Sequence, residues 1–191
     1  MTKATAFHEA GHAVVAFCEG VRLKRLVLGS DDDANGSATF RPLFRSLSAE
    51  TMSPRQERRL LSSVRISLAG AIAQRKAFHR SVRRWQSEDD ENGARERVEW
   101  FLSGQPRPSS DELASAHLEV ARIEASLILE SRWNLVEALA GALLDRRTMT
   151  GKEAESLLRE RLRLAMSPTP TRKATRNGKS PRSGSEVNRR P

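Results

Sequence analysis

Five residues near the start of the chain, His8-Glu9-Ala10-Gly11-His12, combine types and spacing that can do chemistry. They lie in a run, Thr5 to Ala16, that reads as helix, and residues four apart on a helix stand on one face. Both imidazoles can then close on a single metal ion, with Glu9 beside them. Two neutral nitrogen ligands and a carboxylate able to take a proton from metal-activated water are the parts of a zinc-dependent hydrolytic centre. The chain has four histidines in 191 residues, and two of them fall at this spacing around a glutamate. That rarity argues against an accidental pair.

A catalytic zinc site has three protein ligands and an open position, so a third donor must be found. An H-x-x-G-x-x-H continuation would require glycine at 15 and histidine at 18, where this chain has Val15 and Cys18. Cys18 lies about 9 Å of helical rise past His12 and on another face, which predicts a buried small hydrophobe rather than a ligand. His79 and His117 have no partner at metal spacing and are expected on solvated faces or helix ends. The acidic run Ser87-Glu88-Asp89-Asp90-Glu91 is the better source. With Ser87 as a helix cap, Asp90 falls at the third helical position, and Asp90, Ala94, Val98 and Phe101 form one inward stripe. Asp90 is therefore the candidate third ligand and Asp89 the alternative. Acids at a helix start are also favoured by the macrodipole alone, which requires no metal.

The elements that must position these residues are mostly helical. A first helix is expected from about Thr2 to Glu19, stopped by Gly20. Val21–Leu28 and Gly36–Phe44 read as strands of a hairpin whose turn is the Asp/Gly-rich stretch 29–35. Such a hairpin could lie along the cleft and offer an edge to an extended peptide, or only cover the core. Ser53-Pro54, with Gln56 completing a capping box, opens a long helix. Its apolar positions Leu60, Leu61, Val64, Leu68, Ala71 and Ile72 give a broad buried face, and Leu68-Ala69-Gly70-Ala71 lets another helix approach closely. A basic loop over Arg80–Trp85 follows. Further helices are expected at about 89–102, 110–130, 133–146 and 150–164, the last from the capping box Thr150-Gly-Lys-Glu153.

Composition narrows the setting. The chain can bury one real core, contains no apolar run long enough for a membrane span, and shows no charged-then-apolar leader. Its single cysteine excludes an intramolecular disulfide, which suits a reducing cytoplasmic location. The net charge of +9 is concentrated at the end: residues 167–191 hold seven Lys/Arg against one acid, a net +6, which leaves +3 for residues 1–166. That segment has four prolines and almost no apolar side chains, so it cannot fold alone. With no aromatic residue interleaved it offers bases nothing to stack on, and a solubilising tail is favoured over a nucleic-acid arm.

His8-Glu9-Ala10-Gly11-His12-Ala13 followed by Val14-Val15 resembles the peptidase domain of the FtsH-type ATP-dependent zinc metalloproteases, whose motif reads H-E-A-G-H-A. The hairpin, the long helix over Ser53–Ala73, and Ser87-Glu88-Asp89-Asp90 with Ala94 are similar to that family in the same order. So are Trp133–Ala140, Leu143-Leu144 and Thr150–Glu153, and the resemblance spans about residues 3–165. It implies a mainly α, zincin-like helical peptidase domain over 1–166, with a small β-hairpin and a basic tail over 167–191. It also implies Zn²⁺ on His8, His12 and an aspartate, Glu9 as general base, and polypeptide as substrate. The family's S-x-D pattern selects Asp89, whereas the D-x-x-x-A spacing selects Asp90. Where the family commonly has Ala-Glu this chain has Ala73-Gln74, and no G-x-x-x-x-G-K-[ST] phosphate loop occurs. Energy-driven unfolding would have to come from a separate ATPase, and a homo-oligomer is a second partner to expect. The competing readings are a catalytically inactive zinc-binding regulatory domain and a basic-tailed nucleic-acid binder.

Overall fold

The computed structural model describes residues 2–29, 36–41, 51–79, 84–104 and 110–166, and the basic tail over 167–191 lies outside the described residues. The order of elements is α1 (Thr2–Cys18), β1 (Leu23–Leu28), β2 (Gly36–Phe40), α2 (Pro54–Ala77), α3 (Arg84–Ser103), α4 (Asp111–Ser131), α5 (Trp133–Arg146), β3 (Thr148–Thr150) and α6 (Gly151–Met166). The architecture is mainly helical, with one small antiparallel sheet. No helix among the described residues is long and apolar enough to cross a membrane.

About half of α1 is small apolar residues, and the helix is buried on most sides. Ala6, Ala10, Ala13, Val14, Val15 and Ala16 are wholly inaccessible to solvent. A helix this slim can lie at the centre of the molecule, flanked by α2, α5 and the sheet. Gly11 sets the closest approach: a Cβ there would lie 2.6 Å from the Ala73 Cβ and 2.7 Å from the Ala69 carbonyl oxygen of α2. The helix ends as its sequence dictates. Gly20 adopts φ +72°, and the Val21 N–H returns to the Ala16 carbonyl at 2.8 Å.

The expected hairpin is part of a three-stranded sheet of order β2-β1-β3. β1 and β2 pair antiparallel from Leu28↔Gly36 to Leu23↔Phe40, with a bulge at Lys24. β3, absent from the sequence reading, pairs antiparallel with the other edge of β1, Met149 opposite Leu26. Three residues are too few to show an alternating pattern, and Thr150 also belongs to the helix start that follows. β2 ends at Phe40, one residue short of the described Arg41, and the rest of its expected continuation, 42–44, falls outside the described residues.

Both expected capping boxes are present. The Ser53 N–H donates to Gln56 Oε1 at 2.9 Å and the Gln56 N–H returns to Ser53 Oγ; the Thr150 N–H donates to Glu153 Oε2 at 2.7 Å and the Glu153 N–H to Thr150 Oγ1. α2 is the shared wall of two apolar clusters. Ile66, Ala69 and Ala73 join α1 in the cluster that also includes the sheet, α5 and α6; Leu60, Val64 and Leu68 face α3 and α4, and Ile72 touches both clusters.

Two expectations need correction. α3 begins at Arg84, so Ser87 lies inside the helix and is not its cap, and Arg84 and Trp85 belong to helix rather than to a basic loop. Arg84 and Gln86 are good helix formers, and Ser87 does not interrupt them. Cys18 is exposed, not buried: it is the last residue of α1, where the helix leaves the core.

Candidate metal centre

The centre forms where Asp90 of α3 reaches the histidines of α1, with α2 packed against both helices. His8 and His12, one turn apart on α1, present their Nε2 atoms side by side, 3.0 Å from each other. Asp90 of α3 closes the triangle: its Oδ2 stands 3.0 Å from His8 Nε2 and 3.2 Å from His12 Nε2. Both histidines are buried, and the Asp90 side chain is 27 % exposed. Asp90, Ala94, Val98 and Phe101 do form the expected stripe, with the three apolar members in the smaller cluster. Because α3 starts earlier than expected, Asp90 lies in its second turn. Its position owes nothing to capping. Asp89 is exposed at the rim of the cleft and outside the triangle.

The ring orientations come from α2. His12 Nδ1–H donates to the Ile66 carbonyl at 2.6 Å, and His8 Nδ1–H donates to the Gln74 amide oxygen at 3.1 Å. A carbonyl can only accept, so the proton sits on Nδ1 in each ring, and each Nε2 turns a lone pair inward. Asp90 Oδ2 is then a buried oxygen to which no donor is directed, although two ring nitrogens stand within contact distance. Three lone-pair atoms facing one another without a proton between them are mutually repulsive. A cation resolves the conflict.

The spacing fits such an ion. A tetrahedral zinc with bonds of 2.0–2.1 Å needs donor-to-donor separations of about 3.3 Å, close to the 3.0, 3.0 and 3.2 Å found. Donor chemistry agrees, because two imidazoles and one carboxylate suit zinc and leave a position open. The His8–His12–Asp90 group could thus hold a metal ion. The same field also captures a proton. Burial alone would lower the pKa of His12, but the Asp90 carboxylate, helped by Glu9, outweighs it and pushes the ring up to about 9. Burial works against the charge of Asp90 as well, yet His12 and His8 hold its carboxyl well below the usual range.

Glu9 is buried beside the triad and lines the same cleft, of about 460 Å³, together with Ser37, Ala38 and Phe40 of β2 and Ser67 of α2. The Ala38 backbone hydrogen-bonds its carboxylate. Burial pushes the Glu9 carboxyl above its ordinary value, against the attraction of His12 and His8. The remaining imidazoles stand apart. His79 is exposed, and His117 of α4 lies edge-on to Phe101, 5.9 Å between ring centroids.

Two site residues escaped the sequence reading. The position where the resemblance calls for a carboxylate holds Gln74, and its amide occupies that place against His8. Gly70 leaves room for both rings, since a Cβ there would collide with His12 Nε2 and His8 Nε2. Their four-residue spacing, matching that of the histidines, was the available signal. No family model and no curated protein sequence matches the chain.

Proposed function

We propose that the protein is a zinc-dependent metalloendopeptidase of the FtsH-like type, acting on unstructured polypeptide. The observation that supports this most is the convergence of His8, His12 and Asp90 lone pairs on one point, with the Glu9 carboxylate lining the same cleft. A bound zinc would supply Lewis acidity there, acidifying water and polarising a peptide carbonyl. His8, His12 and Asp90 would hold it.

Glu9 is the general base. Its raised pKa brings it closer to working pH than an exposed glutamate, which improves its fitness to accept a proton and return it to the leaving amine. β2 carries the substrate. It is an edge strand paired only with β1 among the described residues, and Ser37, Ala38 and Phe40 line the cleft. An extended peptide can add to the free edge through main-chain hydrogen bonds, which requires the substrate to be unfolded locally. Unfolding would fall to a separate ATPase or to spontaneous opening of the substrate.

The test is metal content and casein cleavage for wild type, Glu9→Gln, Asp90→Ala and Asp89→Ala. Glu9→Gln should keep zinc at one per chain and lose cleavage by at least about 10²-fold. Asp90→Ala should lose most of its zinc, and Asp89→Ala should retain it. Zinc-loaded wild type that cleaves no unfolded polypeptide would favour an inactive zinc-binding regulatory domain.

A further inference from the structure

The two histidines lean on α2 through acceptors of different kinds. His12 meets a main-chain oxygen, that of Ile66, which has a second lone pair beyond its helical hydrogen bond. That lone pair is reachable because Gly70, four residues on, has no side chain to cover it. His8 meets a side chain. Gln74 is only 1 % exposed, the least accessible of the buried polar residues among those described. Ile66, Gly70 and Gln74 follow one another at four-residue intervals, so α2 presents a carbonyl, a gap and an amide along one face. His8 and His12 face them at their own four-residue interval.

We propose that Gln74 is a positioning residue of the metal centre. Its amide oxygen holds His8 in the Nδ1–H form with Nε2 turned toward Asp90 and His12. The inference rests on the metal-binding reading of the triad. Among the described residues no other hydrogen bond sets the His8 tautomer: its Nε2 faces only lone pairs, and without an acceptor at Nδ1 the proton can move to Nε2 and close the site to a cation. The neutrality of the acceptor has its own consequence. Glu9 and Asp90 already offset the two charges of a divalent ion, so an amide orients His8 without making the centre anionic. A carboxylate at 74 would orient the same ring and add a third negative charge.

The two roles separate in substitution. Gln74→Met keeps the volume and removes the acceptor, whereas Gln74→Glu keeps the acceptor and adds charge. The experiment strips full-length protein with a chelator and titrates it with Co²⁺ and Zn²⁺ against a competing chelator. The visible absorption of bound Co²⁺ reports ligand geometry, and circular dichroism reports folding. Gln74→Met should be folded and weaker by about 10–100-fold, with an altered Co²⁺ spectrum. Gln74→Glu should bind at least as tightly as wild type, with a gain of up to about tenfold.

Folded Gln74→Met with wild-type affinity and spectrum would overturn the proposal. So would equal losses in both variants, which indicate packing alone. Should Gln74→Met fail to fold, Gln74→Asn decides: its shorter side chain cannot reach Nδ1, and unchanged affinity there would likewise overturn it. Wild type that binds neither ion removes the metal reading beneath it, an outcome distinct from any difference between variants.

Discussion

The two halves of the centre are held in different ways. The α1 half is fixed at several points: its backbone lies against α2 at Gly11, Ala6, Ala10 and Ala13 to Ala16 are fully buried, and each imidazole is tied to α2 through Nδ1. The α3 half contributes one oxygen from a helix anchored further along. Ala94, Val98, Phe101 and Leu102 hold α3 against α2 and α4, while Glu88 and Asp89 beside Asp90 are exposed. One half is therefore preorganised by its own helix pair, and the other is delivered by packing one to three turns away. Metal affinity should depend on the contact surface itself in the first case and on the stability of a distant cluster in the second.

The largest effect expected from this difference is at Gly70. A single methyl group there strikes both imidazoles at their Nε2 atoms. Gly70→Ala should lower zinc affinity by more than about 100-fold, and overpacking should cost about 1–3 kcal/mol of stability. Isothermal titration and thermal unfolding read the two separately. If the variant binds zinc like wild type, the α1–α2 surface is softer than its packing indicates.

Next comes a pH dependence set by the junction of the halves. Without metal, the ion pair between His12 and Asp90 is what joins them. The pKa of His12 rises on folding from 6.5 to about 9. Its stabilisation is thus fully present below pH 6.5 and is lost as pH rises through about 9, by an amount on the order of 3 kcal/mol. Metal-free protein should lose thermal stability over that interval, and Asp90→Asn should flatten the profile. Zinc affinity should run the opposite way, rising with pH, because the ion displaces this proton. A metal-free stability that is level from pH 6 to 9.5 would show that the halves do not communicate through this pair.

A smaller effect distinguishes the clusters. Val98 of α3 and Val136 of α5 are both fully buried, one in each cluster. Truncation of either to alanine should cost roughly 1–2 kcal/mol. Only Val98→Ala should also weaken zinc binding, by about threefold to tenfold, since it loosens the helix that carries Asp90. Equal affinities in the two variants would mean that Asp90 is placed by its contact with the histidines and not by its helix.

The same division governed what could be read in the sequence. The α1 half was legible because its chemistry is local: a four-residue spacing on one helix places both imidazoles without knowledge of the fold. Helix starts with reciprocal side chains, Ser53–Gln56 and Thr150–Glu153, were legible for the same reason. Asp90 was reached through its apolar stripe, yet the capping role given to Ser87 was wrong, since a serine before acids marks a helix start only when the preceding residues are not helical themselves. Gln74, Gly70 and β3 were not legible as contacts. Each depends on which surface meets which, and that is settled by the packing of α1 on α2 and by the return of the chain to the free edge of β1.

The smallest effect expected is at the start of α2. Ser53→Ala removes a capping box and should cost about 1 kcal/mol, with fraying confined to the first turn. Ile66 lies 13 residues further along, more than about three turns, and the intervening Leu60 and Val64 are anchored in the smaller cluster. Zinc affinity should therefore be unchanged within about twofold, even though the same helix carries both imidazole acceptors. The comparison with Val98→Ala is the informative one, because stability losses of similar size should differ in whether they reach the metal. A cap variant that weakened zinc binding as much as Val98→Ala would mean that affinity tracks global stability, and the distinction between a preorganised half and a delivered half would fail.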